Sequence, residues 1–279
     1  MAVFIGQPLL ISGIIVMSQL LDKIKNCVKE ASALMFAEFE TAEKGDASNL
    51  VTSADLKVEK HLRQELLKIL PKAGFLGEES ANTFSQSPLF FAVDPIDGTS
   101  NFTRSMNQSA ISVGLIHDGE PVLGVVYNPF TDEMFYAEKG CGAFLNGNPI
   151  KVSDRDFRHS VIFTAFSLYR KEFAKPCINI LEDVYFRCDD FRRLGSAAIE
   201  LSCLGAGRGE LYFEMRISPW DVAAALAILK EAGGCYASPH FESIDFTKPF
   251  SIAAANSPKS LELLCSIIRK HYPRLPENY

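Results

Sequence analysis

The spacing of apolar residues along this chain predicts helices that alternate with short strands. Apolar positions recur every three or four residues over 18–39, and again from just after Asp55 to about Leu70, where Pro71 ends the pattern. The same spacing predicts helices over 173–185, 196–204, 220–232 and 259–271.

Short apolar runs bounded by turn residues predict the strands. They lie at 74–77, 89–93, 109–116, 121–128, 133–137, 160–165, 211–215 and 250–254, with one more leading toward Arg193. His117-Asp118-Gly119 joins two of these strands as a hairpin. The pattern predicts an α/β (α+β) fold with a mixed, largely antiparallel sheet.

Composition narrows the class of protein. The chain has 279 residues and no low-complexity linker, so we expect a single domain over 17–279. A net charge of −6 argues against a nucleic-acid partner. The seven cysteines are scattered with no CxxC pair, which indicates reduced thiols in a cytoplasmic protein rather than a zinc site.

Residues 1–16 are nearly all apolar and stand apart from this pattern. The segment is short for a membrane span, and it lacks the basic residues and small-residue cleavage site of a signal peptide. We interpret 1–16 as a dispensable extension and expect no membrane partner. A signal or anchor segment is the alternative.

Candidate chemistry concentrates directly after the apolar run 89–93. There the chain reads Asp94-Pro95-Ile96-Asp97-Gly98-Thr99-Ser100-Asn101-Phe102. Pro95 and Gly98 predict a tight turn that holds Asp94 and Asp97 close together. Like charges held that close require a cation or a proton. Carboxylate oxygens favour Mg²⁺, Mn²⁺ or Ca²⁺ over zinc.

Other acidic residues fall at the ends of apolar segments. Asp55 lies near the start of a helix, Glu78 and Glu79 end a short strand, and Asp221 follows Trp220 at another helix start. Each alone has an ordinary interpretation, as a capping residue or a solvated carboxylate. Together they indicate a site, because α/β proteins gather functional groups where strands give way to loops.

Other kinds of site have little support. The glycine-rich run 205–209 lacks the Lys-Ser/Thr of a P-loop, so we interpret it as a turn. The five histidines are dispersed, and no Gly-x-Ser-x-Gly motif is present.

The acidic motifs resemble those of the inositol monophosphatase family of Mg²⁺-dependent, lithium-sensitive phosphatases. Four segments are similar in sequence, order and spacing: LVTSAD at 50–55, GEES at 77–80, the run at 94–102, and WDVAA at 220–224. The resemblance implies a layered αβαβα sandwich of the sugar phosphatase type, lithium inhibition and a homodimer. It also implies two or three Mg²⁺ ions in each active site.

The resemblance assigns the metal ligands. A first ion would lie between Glu78, Asp94 and the carbonyl of Ile96. A second would lie between Asp94, Asp97 and Asp221, and a weaker third would use Glu78 and water. Phosphate monoester hydrolysis has one of the highest uncatalysed barriers known, and two metal ions can stabilise both the attacking and the leaving oxygen.

The same resemblance assigns catalytic roles. Thr99, hydrogen-bonded to Asp55, would orient and help deprotonate the attacking water, and Glu78 belongs to the same catalytic set. The backbone N–H groups of Gly98 and Thr99, at the start of a short helix, would bind phosphate oxygens.

Substrate recognition is assigned to Ala197, Glu214 and Asp221. The implied reaction hydrolyses a small polyol phosphate, first of all inositol 1-phosphate, by metal-activated water. Segments 103–108 and 166–190 depart from the family pattern, which leaves the identity of the alcohol open. Histidinol phosphate, fructose 1,6-bisphosphate and 3′-phosphoadenosine 5′-phosphate are alternatives. A regulatory binding role is another, because some family members also bind transcription machinery.

Overall fold

Two large β-sheets and three layers of helices build the part of the chain described by the structure, a computed structural model. The described residues are 17–37, 40–43, 50–80, 84, 87–166 and 171–273, so the predicted extension 1–16 lies outside them. Within these ranges the helices are α1 (Met17–Ser32), α2 (Ser53–Ile69), α3 (Thr99–Phe102), α4 (Ala174–Tyr185), α5 (Ala197–Gly205), α6 (Pro219–Glu231) and α7 (Pro258–His271). None of these helices is long and apolar enough to cross a membrane.

The larger sheet has seven strands and is mostly antiparallel. Its spatial order is β3 (Gly74–Gly77), β4 (Leu89–Asp97), β5 (Ala110–His117), β6 (Glu120–Asn128), β7 (Glu133–Glu138), β8 (Gly142–Leu145) and β9 (Asn148–Ile150). β3 and β4 are parallel, and every other neighbouring pair is antiparallel. Two further strands, β1 (Thr41–Glu43) and β2 (Leu50–Thr52), pair with each other.

The second sheet has five strands. Its order is β11 (Asp190–Arg192), β10 (Val161–Thr164), β12 (Leu211–Ile217), β14 (Phe250–Ala255) and β13 (Cys235–Ala237). β10 is parallel to both of its neighbours, whereas β14 is antiparallel to both of its own. Both sheets are therefore mixed, which confirms the sequence prediction.

The alternation of side chains along the strands sets the layers. On β4, Phe91 belongs to a buried cluster with α1 and α2, whereas Ala92 belongs to a cluster with α5 and α6. On β12, Tyr212 faces α5 and α6 from the other side, and Phe213 packs with α4 and α7. The order of layers is helix, sheet, helix, sheet, helix, and the predicted αβαβα sandwich is confirmed.

Helix α6 lies between the two sheets and is apolar all round. Every residue from Val222 to Leu229 is buried, as expected for a helix with no solvent-facing side. The helix approaches β6 closely at Gly124, where a Cβ atom would lie 2.1 Å from the carbonyl oxygen of Ala224. This contact fixes the position of α6, and with it Asp221 near its start, against the larger sheet.

Some predicted elements differ from the structure in their limits. The first helix ends at Ser32 and gives way to a 3-10 helix, Ala33–Phe36, rather than running to 39. Met35 is buried in that 3-10 helix, so the apolar pattern continues past the end of the α-helix. The short strands β1, β2, β8, β9 and β13 were not predicted, because three or four residues give little alternation to detect.

Candidate active site

A β-bulge in β4 brings Asp94 and Asp97 to one place. β4 pairs with β5 up to Asp94, and pairing resumes at Asp97, so two residues of β4 stand opposite one of β5. Pro95 in this gap has no N–H for the sheet, and the N–H of Ile96 donates to Asp94 Oδ1 at 2.9 Å. The prediction of a tight turn after residue 93 is therefore wrong. The two carboxylates lie on a strand that bulges and continues.

Helix α6 supplies a third carboxylate from its first turn. Ser218 is the N-cap, Pro219 opens the helix, and the N–H of Ser218 donates to Asp221 Oδ2 at 3.0 Å. Proline at the first position and an acid at the third are standard ways to begin a helix. Asp221 therefore has a structural role in the cap as well as its place in the site.

The three carboxylates converge. Asp94, Asp97 and Asp221 each place one oxygen within 4.8 Å of the others, with the first two buried and the third half-buried. One oxygen of each also accepts a hydrogen bond from the protein: from Ile96 N–H, from Ser196 and from Ser218 N–H respectively. The cluster is thus held in shape by the fold itself.

The surroundings oppose three negative charges in this cluster. Burial raises the pKa of Asp94 well above its usual range, and the nearby carboxyls of Glu78, Asp97 and Asp221 raise it further. Burial raises the pKa of Asp97 to about 6, although hydrogen bonds to its carboxylate act in the other direction. The pKa of Asp221 is raised by burial and by Asp97. A divalent cation would relieve this repulsion, and oxygen ligands alone suit Mg²⁺.

The residues at the start of α5 hold the side chain of Asp97 by hydrogen bonds. Ser196 Oγ and the N–H of Ala198 both donate to Asp97 Oδ2, at 2.6 and 2.7 Å. Ser196 is also the N-cap of α5, accepting from the N–H of Ile199 at 3.3 Å. A helix N-terminus favours a negative charge, so these contacts stabilise the ionised carboxylate.

Two buried side chains hold the segment that leads into α5. Glu200, only 1% exposed, accepts from the N–H of Leu194 and, at 3.1 Å, from that of Gly195. Burial raises the pKa of Glu200 to about 8. From the opposite side, Asn101 Nδ2 donates to the carbonyl oxygens of Gln108 and Leu194, at 2.7 and 2.8 Å. The segment before α5 is therefore held by a side chain of α5, Glu200, and by a side chain that follows Asp97 in the chain, Asn101.

A cavity of about 380 Å³ opens beside the carboxylates. The structure brings nine predicted residues to its lining: Glu78, Asp94, Ile96, Asp97, Gly98, Thr99, Ala197, Glu214 and Asp221. Asp55 is the one predicted site residue outside that lining.

Glu78 lies at the end of β3, where its N–H donates to the carbonyl of Val93 at 3.1 Å. It lines the cavity but is not a member of the three-oxygen cluster, although its charge raises the pKa of Asp94. The turn that carries it is held from α2, where buried Glu59 accepts from the N–H of Glu79 at 2.8 Å.

Thr99 and Asp55 make different contacts from those that the resemblance implies. The Thr99 hydroxyl donates to the carbonyl of Ile96 at 3.1 Å rather than to Asp55. Asp55 is the third residue of α2 and accepts from the N–H and hydroxyl of Thr52, at 2.7 and 2.6 Å. The cap of α2 thus occupies one oxygen of this carboxylate, Oδ2. The charge of Asp55 still contributes to the raised pKa of Asp94.

The predicted substrate contacts lie on the second half of the molecule. Glu214 is on β12, is 8% exposed, and accepts from the Tyr212 hydroxyl at 2.8 Å. Ala197 is the first residue of α5. Both line the same cavity as Asp94 and Asp97, from elements that follow those two residues by about a hundred positions.

Sequence reasoning missed several residues at this site. Ser196 carries a signal that could have found it, an N-cap serine in front of an apolar helix. Glu200 and Glu59 are single acids on helices and carry no such signal, and the role of Asn101 depends on a partner far along the chain. Arg216 also lines the cavity and was not singled out.

Comparison with known proteins agrees with this architecture. The Aquifex aeolicus protein called fructose-1,6-bisphosphatase/inositol-1-monophosphatase is 35% identical over 195 residues, which make up 70% of this chain and 74% of that protein. The Nus factor SuhB of Escherichia coli (strain K12) is 33% identical over 225 residues, or 78% of this chain and 84% of that protein. The solved structure of an IMPase from Thermotoga maritima matches with a TM-score of 0.80 and 28% identity, over 92% of this chain and 99% of that one.

The αβαβα sandwich with buried carboxylates between its halves defines a class of phosphatase-like proteins with an acidic site suited to metal. The inositol monophosphatase family model matches residues 13–272. This chain therefore belongs to the inositol monophosphatase family.

Proposed function

We propose that this protein is a Mg²⁺-dependent phosphomonoesterase that hydrolyses small polyol phosphates, including inositol 1-phosphate. The observation that carries the proposal is the convergence of Asp94, Asp97 and Asp221, with oxygens within 4.8 Å, beside a cavity of about 380 Å³. A cavity of this size suits a small ligand. An uncompensated group of buried carboxylates is costly, which argues for a bound cation.

The chemistry of the donor set fits Mg²⁺. Asp94, Asp97 and Asp221 would hold it, and Glu78 and the Ile96 carbonyl at the same cavity would complete two or three ion sites. When bound, Mg²⁺ would neutralise phosphate charge and lower the pKa of a water molecule. The protein's own contribution is to hold the carboxylates still, since Ser196, Ile96 and Ser218 each fix one ligand oxygen.

The remaining residues would bind and orient the substrate. Thr99 Oγ1 would accept a hydrogen bond from the attacking water while it donates to Ile96, with Asp55 and Glu78 adding negative charge nearby. The N–H groups of Gly98 and Thr99 would receive phosphate oxygens. Because the Gly98 N–H also contacts the Asp97 carboxylate, Thr99 is the better donor of the two.

On the side of the cavity formed by α5 and β12, Ala197 and Glu214 would contact the alcohol. A carboxylate such as Glu214 accepts hydrogen bonds from hydroxyl groups, which fits a polyol. Asp221 would contact both metal and a hydroxyl. These assignments follow the family pattern, and the lining of the cavity supports them.

Phosphate release from inositol 1-phosphate, histidinol phosphate, fructose 1,6-bisphosphate and 3′-phosphoadenosine 5′-phosphate, with and without Mg²⁺, tests the proposal. We expect Mg²⁺-dependent release that falls by roughly 100-fold or more in Asp94→Asn and Asp221→Asn, because each change removes a charged ligand. Asp118→Asn, in an exposed hairpin, is the matched control and should leave turnover unchanged.

Near-wild-type turnover of either variant at saturating Mg²⁺ would contradict the metal assignment. The SuhB relative is a Nus factor by name, which favours a regulatory role as the second candidate. Absence of any phosphate release, together with a partner complex that survives Asp97→Asn, would favour that role instead. The proposals of a homodimer and of lithium inhibition rest on family membership alone.

A further inference from the structure

Two arginines face the cavity from the half of the molecule that carries Glu214. Arg193 and Arg216 are the positively charged residues in its described lining; Arg216 is on β12 of the five-stranded sheet, and Arg193 directly follows β11 of that sheet. The carboxylates Asp94 and Asp97 come from the seven-stranded sheet. One cavity thus has an acidic wall, formed by Asp94 and Asp97, and a wall where two guanidinium groups stand together with Glu200 and Glu214.

Strand direction explains why both arginines reach this cavity. β10, β11 and β12 are parallel, so their carboxyl ends lie at the same edge of the sheet. Arg193 directly follows β11, and Arg216 is the second-to-last residue of β12. Ala165, which directly follows β10, lines the cavity beside them. The carboxyl ends of parallel strands are where such sheets bind ligands.

Glu214 and Arg216 both line the cavity from β12. They stand two residues apart, the spacing at which strand side chains point to one face. Met215 between them is buried in the outer cluster with α4 and α7. An acceptor for hydroxyl groups and a guanidinium group are therefore presented side by side to whatever occupies the cavity.

Arg193 differs from other arginines of this half of the chain in its contacts. Its neighbour Arg192 pairs with Asp190, and Arg208 pairs with Glu133. Arg193, by contrast, has no hydrogen-bond or ion-pair partner among the residues that the structure describes, and its side chain is exposed at the cavity. A guanidinium group in this position is available to a ligand.

We propose that Arg193 and Arg216 form a subsite for a second anionic group of the substrate. The proposal rests on the proposed phosphatase function and narrows its substrate class to polyols that carry two phosphates. The phosphate to be cleaved lies at the acidic wall, where the cation site is. The guanidinium groups pair with the other phosphate, since arginine binds phosphate oxygens in a planar, bidentate way. A monophosphate such as inositol 1-phosphate is still hydrolysed, but it leaves the subsite empty.

A matched pair of substrates isolates the subsite. Fructose 1-phosphate and fructose 1,6-bisphosphate share the C1 ester, and only the second has a phosphate on C6. Water attacks the phosphorus of the phosphate on C1, and the bond between that phosphorus and the C1 oxygen breaks. The products are inorganic phosphate and either fructose or fructose 6-phosphate. We expect kcat/KM to be roughly 10-fold or more higher for the bisphosphate, as for one charge-assisted contact.

Variants then assign the preference to residues. Arg193→Gln and Arg216→Gln should each lower kcat/KM for the bisphosphate roughly 10-fold, mainly through KM, and should lower it less for the monophosphate, so that the preference for the bisphosphate falls. Arg216→Lys should keep part of the preference, since it keeps the charge. Arg192→Gln is the control, because Arg192 is exposed, pairs with Asp190 and does not line the cavity.

Binding gives a readout that does not need catalysis. Trp220 is the only tryptophan of the chain and lines the cavity, so its fluorescence reports ligand entry. Titration with either fructose ester in the presence of Mg²⁺ should show the same preference and its loss in the variants. Equal affinity for both esters, or equal loss of both in the variants, overturns the subsite. Preferential binding without phosphate release would support the subsite and refute the phosphatase function.

Discussion

At the scale of single residues, the site depends on how its carboxylates are held. Asp94, Asp97 and Asp221 each accept a hydrogen bond from the protein, and the donors come from a bulge, a helix start and a helix cap. Such contacts fix a ligand's direction, and their loss commonly weakens metal binding. Glu59 positions Glu78 indirectly: it accepts a hydrogen bond from the N–H of Glu79, the next residue in the same turn.

Replacing Glu59 with leucine tests this positioning role. The change leaves the Glu79 N–H without its buried acceptor and removes a contact with Ser80, so the turn that carries Glu78 loosens. We expect the Mg²⁺ concentration for half-maximal activity to rise roughly 10-fold, from about 1–2 kcal/mol of lost interaction, with little change in kcat at saturation.

The control for this variant is Glu65→Gln, on the same helix but paired with Lys68. Direct Mn²⁺ binding, followed by calorimetry, should weaken in parallel for Glu59→Leu and recover partly in Glu59→Gln. A lower kcat with unchanged metal affinity would show that Glu59 does not act through Glu78.

Sequence motifs identify the carboxylates of the proposed cation site, and miss the residues that support them. Asp94 and Asp97 stand out because they lie three residues apart around a proline. Ser196 is recognisable from the sequence only as an N-cap, because its partner Asp97 lies 99 positions away. Glu200 is a single acid on a helix and carries no signal, although the backbone groups that it holds lie only five and six residues away. A single sequence contains the local constraint that a proline places on its neighbours, but not the pairing of distant segments.

At the scale of elements, α6 shows how an apolar helix is fitted between two sheets. Its small residues allow the backbone to approach β6, and Gly124 accepts that approach because it has no Cβ. The apolar pattern of 220–232 predicts the helix, and the structure confirms it over Pro219–Glu231. Its partner strand could not be predicted, because the contact depends on sheet order.

Gly124→Ala should be strongly destabilising. The new methyl group would lie 2.1 Å from the carbonyl oxygen of Ala224, and neither backbone can move easily inside two packed layers. We expect a loss of about 3 kcal/mol and a fall in melting temperature of roughly 5 °C or more, measured by calorimetry. Gly205→Ala is the matched control, since its new Cβ would lie 3.4 Å from Ile228. An unchanged melting temperature in Gly124→Ala would refute the close approach.

At the scale of the whole molecule, charged contacts join elements that are far apart in the chain. Asp183 on α4 accepts from Arg187 at 2.8 Å and from Lys270 of α7 at 2.6 Å, and its Oδ2 lies 2.9 Å from His271 Nε2. These contacts hold the pKa of Asp183 well below its usual range. They join α4 to α7, and the apolar cluster beneath them attaches both helices to the five-stranded sheet.

This contact predicts a pH-dependent share of stability. Because the folded-state pKa of Asp183 is depressed, its contribution is complete above the unfolded pKa of about 3.9 and is lost as pH falls below that value. Asp183→Asn should therefore cost about 1–3 kcal/mol at pH 7, and the difference from wild type should shrink below about pH 4. Denaturant unfolding at both pH values measures it, with exposed Asp189→Asn as the control. A difference that stays constant with pH would contradict the assignment.

The three carboxylates at the cavity also have a mechanical consequence. Asp94 and Asp97 belong to a strand of the larger sheet, and Asp221 belongs to the central helix. A cation shared among them would act as a removable cross-link between two layers, and it would stabilise the folded state by an amount that rises with the logarithm of the free ion concentration once that concentration exceeds Kd. The melting temperature of the protein therefore itself reports divalent-ion binding, readable in a solution that contains no substrate.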